Sequence, residues 1–224
     1  MSFQSYILDE VTTEFPKLRN KKEAVGMQAY MKDIAPYIGI RTQDRRATLK
    51  EIYKGAPVPT SEQLGKTARA LWKLPEREYQ YAASDMLSKF NTYADKDFLA
   101  KHGEYLIASK SWWDSVDNLG SAIVSPLTVR YNLLPLMNKW NKSENIWLVR
   151  AAIQHQRGRG TNTDIPLLLR YCHDHADETI FWITKAIGWA LRDLAKFDRP
   201  AVTKFLKDHP DLSRVAVREA LKHA

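Results

Sequence analysis

Residues 111–118 read SWWDSVDN, which sets two adjacent indoles, Trp112 and Trp113, directly before Asp114 and about one turn before Asp117. Such a cluster suits chemistry at a cationic centre. The face of an aromatic ring attracts positive charge, a partly desolvated carboxylate attracts it more strongly, and neither requires a metal. A sugar becomes such a centre when its glycosidic bond loosens into an oxocarbenium-like state, and the same carboxylate can orient or deprotonate the water that captures it. Trp189 in KAIGWALRD supplies a further indole, and Arg150 in NIWLVRAAI a guanidinium able to hold a backbone phosphate beside the carboxylate. The combination points to an N-glycosidic bond in a polyanion.

These residues need a scaffold that brings distant segments together. Apolar residues recur at i, i+3 and i+4 along most of the chain, glycines are few at nine, and the ten prolines fall mostly in short polar connectors. The pattern predicts an all-α protein. Aligning RRATLKE on Ala47, YQYAASDML on Ala82, DSVDNLG on Asp117, LVRAAIQ on Ala151, TKAIGWA on Ala186 and REALKHA on Ala220 gives steps of 34 or 35 residues. That period predicts an α-solenoid of about six HEAT-like repeats forming a single domain over 1–224. Five register positions are Ala, as close helix contacts require, and the sixth is Asp117. A carboxylate there is either used chemically or paired with Arg150, and the two readings predict opposite effects of its removal on stability.

Laid on this register at about 100° per residue, Trp113 falls roughly 40° from Asp117, Trp189 about 60° and Arg150 about 100°, all within one stripe. Arg46, Lys50, Gln154, Arg157, Lys185 and Arg192 continue it, with Asp85 as an acidic exception beside Asp117. This predicts a basic concave groove with two indoles and a carboxylate at its middle. Ordinary solvated helix flanks are the competing reading. Trp112 is assigned to the core.

Thirty-four Lys and Arg against 26 Asp and Glu leave a net charge of +8, a balance that attracts phosphate polymers. The lone cysteine, Cys172, excludes an intramolecular disulfide and fits a reducing compartment. MSFQSYILDE has no export signal, and no run of 18 apolar residues occurs, so a cytoplasmic protein without membrane partners is expected. LGKT at 64–67 lacks the earlier glycine and the strand of a phosphate-binding loop, and Cys172, His173 and His175 match no common zinc spacing. RGRGTN at 157–162 is a basic loop compatible with phosphate.

The chain also resembles the AlkD family of HEAT-like-repeat DNA glycosylases, through AYMKDIAPYIGIRTQDRR, LWKLPEREYQYAA, SWWDSVD, NIWLVRAAI, KAIGWALRDLAK and SRVAVREALKH. The resemblance implies a monomeric, cofactor-free and metal-free enzyme that releases cationic N3- and N7-alkylated purines from duplex DNA without a tight base pocket. It places the catalytic carboxylate at Asp117, the sugar-contacting tryptophans at Trp113 and Trp189, and the essential arginine at Arg150. Tyr30 corresponds to a tyrosine near the minor groove, and Arg41 stands where the family pattern has glutamine facing it. The Arg41 departure leaves a non-catalytic relative that binds duplex or branched DNA as one alternative. A protein-interaction scaffold, a common use of such solenoids, is the other.

Overall fold

Polar N-caps cut the chain into helices at the places where the apolar periodicity starts afresh. Ser2, Asn20, Thr60, Asn145, Asp164, Asp198 and Ser213 each accept a backbone N–H from the first turn, satisfying donors that have no intrahelical partner. The computed structural model describes residues 1–222, and no strand occurs among them. The helices are α1 (Phe3–Glu14), α2 (Lys21–Tyr30), α3 (Thr42–Lys54), α4 (Ser61–Lys73), α5 (Arg77–Phe90), α6 (Glu104–Ala108) and α7 (Trp113–Leu119). They continue with α8 (Ser125–Arg130), α9 (Leu134–Asn141), α10 (Ile146–Gln154), α11 (Ile165–His173), α12 (Phe181–Ala195), α13 (Arg199–Asp208) and α14 (Arg214–Ala220). The all-α expectation is met.

The helices gather into two compact units, one spanning Met1–Ser111 and the other beginning at Trp112. In the first, Phe3, Ile7 and Val11 of α1 and Leu64, Ala68 and Leu71 of α4 are fully or almost fully buried, and α1 packs on α4. Glu78 of α5 is buried too, and its carboxylate accepts the backbone N–H groups of Ile38, Gly39 and Ile40 at 3.0, 2.7 and 3.1 Å. Gly39 has φ +94°, and a Cβ there would strike the Asn20 carbonyl, so only glycine fits this turn. Together they fix the segment that ends at Arg41.

In the second unit α10 packs on α12 and α12 on α14. Side-chain bonds join residues one helical pair apart: Asp117 with Arg150, Lys185 with Glu219 and His173 with His209 are separated by 33, 34 and 36 positions. Matching positions on successive pairs therefore touch, which is the nearest-neighbour packing of a helical repeat. Ala82, Ala186 and Ala220 are completely buried and Ala151 nearly so, as close helix contact requires. Ala47 departs from the register and is exposed, because α3 buries Leu49 and Ile52 instead. Leu49 lies two residues on, about 200° around the helix.

Candidate active site

The helix carrying Asp117 is shaped by its own sequence. Ser115 Oγ accepts the N–H of Trp112 at 3.2 Å and so starts α7, with Trp113 as its first residue and Asp117 one turn further. After α7 the chain widens into a π-helical turn, Gly120–Val124, before α8. Pro126 lacks an N–H and its ring crowds the preceding turn, which favours this local expansion, and such turns recur at functional sites. The turn sets Ser121 and Ser125 on the wall of a cleft with Asp117.

Asp117 is held from α10. Arg150 donates to Asp117 Oδ1 through Nε at 2.9 Å and to Oδ2 through Nη2 at 2.8 Å, a bidentate match of two planar groups. Its remaining Nη1 donates to the Trp182 carbonyl at 2.7 Å, and only 1% of the residue is exposed. The guanidinium thus faces the protein interior, where it orients the carboxylate. All three of its nitrogens are engaged within the protein in this arrangement, where the sequence expectation gave Arg150 a backbone phosphate to hold. Asp117 also lines the cleft, with its side chain 14% exposed.

Trp189 of α12 is half-buried and ringed by positive charge. The guanidinium carbons of Arg157, Arg150 and Arg192 lie 5.0, 5.3 and 5.6 Å from its ring centroid, and Lys185 Nζ lies at 5.8 Å. Its indole N–H donates to Glu219 at 3.0 Å. Glu219 also accepts from Lys185 at 2.7 Å and Arg192 at 3.1 Å, and the Lys185 ammonium, helped by the Trp189 N–H and Arg192, holds its carboxyl below the usual range. Sequence reasoning missed Glu219. The signal was available, because it lies 34 residues after Lys185, one repeat on. Its effect is to neutralise part of the charge that Lys185 and Arg192 bring to the stripe.

Gln154 is buried, while Arg157 is exposed and borders both the Asp117 cleft and a broader polar groove with Arg130, Arg159 and Asn162. Trp112 is only half-buried and packs on Trp182 and Trp147 with centroids 5.0 and 6.0 Å away. The remaining predicted residues belong to the first unit. Arg46 and Lys50 line a pocket of about 530 Å³ with Tyr53, Ser88 and Lys89. Asp85, the acidic exception of the stripe, pairs with Arg45 at 2.9 Å and Arg46 at 3.4 Å. Tyr30 is exposed at the end of α2, and Arg41 donates to Glu23 at 2.6 Å. No group of three or more His, Cys, Asp or Glu able to hold a metal occurs among the described residues. His173 bonds His209, and His175 bonds the Asn141 carbonyl. Burial pushes the Cys172 thiol up.

Stacked helical pairs carrying a clamped carboxylate and an indole in a cationic ring define a helical-repeat protein. Its sequence matches the family described as DNA alkylation repair enzyme over residues 11–224, and the chain belongs to that family. A solved structure from Enterococcus faecalis, described as a predicted DNA alkylation repair enzyme, superposes with a TM-score of 0.85 at 30% identity, covering 92% of this chain and 96% of that one. The crystal structure of AlkD2 from Streptococcus mutans shares the fold, with a TM-score of 0.65 at 17% identity over 99% of this chain and 98% of that one. No curated protein sequence matches significantly. Among the described residues no helix is long and apolar enough to cross a membrane.

Proposed function

We propose that this chain is a monofunctional DNA glycosylase that hydrolyses the N-glycosidic bond of cationic N3- and N7-alkylated purines in duplex DNA. The observation that carries the reading is Asp117, locked in orientation by the buried Arg150 and open to a cleft on its other side. A carboxylate that cannot rotate away stabilises a sugar cation without reorganisation cost as the base departs. Trp113 and Trp189 contact the deoxyribose, and Arg157, with Arg46, Lys50, Lys185 and Arg192, meets backbone phosphate.

An alkylpurine that already carries positive charge leaves as a neutral base, so the reaction asks for no general acid, metal or cofactor. A normal purine would have to leave as an anion, and selectivity follows from that difference. The cleft at Asp117, about 20 Å³, has room for a water and not for a base. This supports attack on the sugar in place of capture of a flipped base in a tight pocket. The bidentate lock fits a purely structural Asp117 equally well, and with it a DNA-binding relative without catalysis. Incubation with methylated duplex and detection of free 7-methylguanine separates them: release is expected, and its absence under single-turnover conditions with bound duplex overturns the proposal.

A further inference from the structure

Gln154 ends α10 with 8% of its surface exposed, and its side-chain nitrogen is buried without a hydrogen-bond partner. It lies in the wall of the Asp117 cleft, with Ser121, Ser125 and Arg150. A buried amide donor left unpaired costs free energy comparable to a lost hydrogen bond, so its retention in a cleft that also holds a fixed carboxylate calls for a ligand. The space, about 20 Å³, is that of one water molecule. Its polar lining is complementary to water: the Gln154 N–H is a donor, while the Asp117 carboxylate and the Ser121 hydroxyl, whose own proton goes to the Asp117 carbonyl, are acceptors.

We infer that Gln154 is a further catalytic residue, one that holds the nucleophilic water for Asp117. The inference rests on the glycosylase reading and adds to it the residue that fixes where the water stands. A water that accepts from Gln154 and donates to Asp117 and Ser121 has one lone pair left, and that lone pair is directed at the anomeric carbon. As the C1′–N bond breaks, its electron pair neutralises the departing purine; the water oxygen bonds C1′, and its proton passes through Asp117 to solvent. Burial also removes Gln154 from the phosphate-contacting surface to which its helix register assigned it.

The test uses the full chain, methylated duplex and buffer containing methanol, with Gln154→Ala and the volume-conserving Gln154→Leu. Wild type is expected to release 7-methylguanine and to leave only the hydrolysed sugar. Gln154→Leu is expected to slow single-turnover release about 100-fold at unchanged duplex affinity, the scale of misplacing a reacting group by about an ångström. Gln154→Ala opens the cleft and is expected to give methyl glycoside in addition. A purely structural Gln154 changes melting temperature and rate without changing the ratio of the two sugar products, so an unchanged ratio overturns the inference while the glycosylase reading stands. If wild type binds the duplex but releases no base, the glycosylase reading falls and this inference falls with it.

Discussion

At the residue scale, the pair Asp117–Arg150 decides between two opposite expectations. Sister helices carry alanine at this register, so Asp117→Ala read from sequence alone installs a residue the repeats already use. The structure reverses that expectation, because the substitution strands a guanidinium that is 1% exposed. Leaving one member of a buried pair without its partner costs ~3–5 kcal/mol. Asp117→Ala is therefore expected to melt well below wild type, and Asp117→Ala with Arg150→Met to recover much of the loss. Asp117→Asn keeps the shape and an acceptor, and is expected to lower base release by at least ~100-fold with a smaller loss of stability. An Asn variant as active as wild type would remove Asp117 from the chemistry. His155 gives a pH test of the same unit. Burial lowers its pKa from 6.5 to about 4, while its ring packs on Tyr171 with centroids 5.8 Å apart. The folded state thus binds this proton less readily than the unfolded chain. Its contribution is complete above pH 6.5 and is lost as pH falls toward 4, on the order of 3 kcal/mol in all. Denaturant titrations between those limits should show a shallower fall for His155→Phe than for wild type.

At the scale of elements, the approach of α14 to α12 places Glu219 against Trp189. Gly188 permits it, since a Cβ at that position would lie 2.6 Å from Glu219 Cβ and 2.7 Å from the Ala216 carbonyl. Gly188→Ala is expected to push the helices apart at a cost of ~1–3 kcal/mol, read by thermal melting. Glu219→Gln tests the other side of the contact. It leaves the helices in place but releases Lys185 and Arg192 from their carboxylate, so duplex affinity at low salt should rise. Unchanged affinity would mean that neither cation meets DNA. The register was legible at this scale from Ala82 onward because small residues recur wherever helices touch closely. It was not legible at Ala47, where Leu49 and Ile52 decide which face of α3 turns inward.

For the whole molecule, the 34 Lys and Arg overstate the positive charge free to meet a polyanion, because ion pairs within the protein already occupy several of them. Arg41 pairs with Glu23, Arg46 with Asp85, and Lys185 and Arg192 share Glu219. Arg157 forms no salt bridge within 4.0 Å among the described residues and rides over Trp189, with the Asp193 carboxylate near enough to feel its charge. Duplex binding should therefore weaken with salt, at about 0.9 in log–log slope per neutralised phosphate, but less steeply than the number of basic residues suggests. Arg157→Ala should lower the slope by about 0.9. A slope unaffected by Arg157→Ala would move the phosphate contacts elsewhere.

Helicity, the 34- to 35-residue spacing and the choice of Asp117, Trp113, Trp189 and Arg150 as the residues to watch were all determined by the sequence. Each depends on periodicity or on side-chain chemistry, which a linear reading can measure. What Arg150 holds, that Gln154 turns inward and that Glu219 pairs with both Lys185 and Arg192 were decided only by the tertiary structure. In each case the deciding neighbour lies about one repeat away or across a helix interface. Helix register places a side chain within a broad sector, whereas the group it bonds within that sector depends on the approach and rotation of the packed helices.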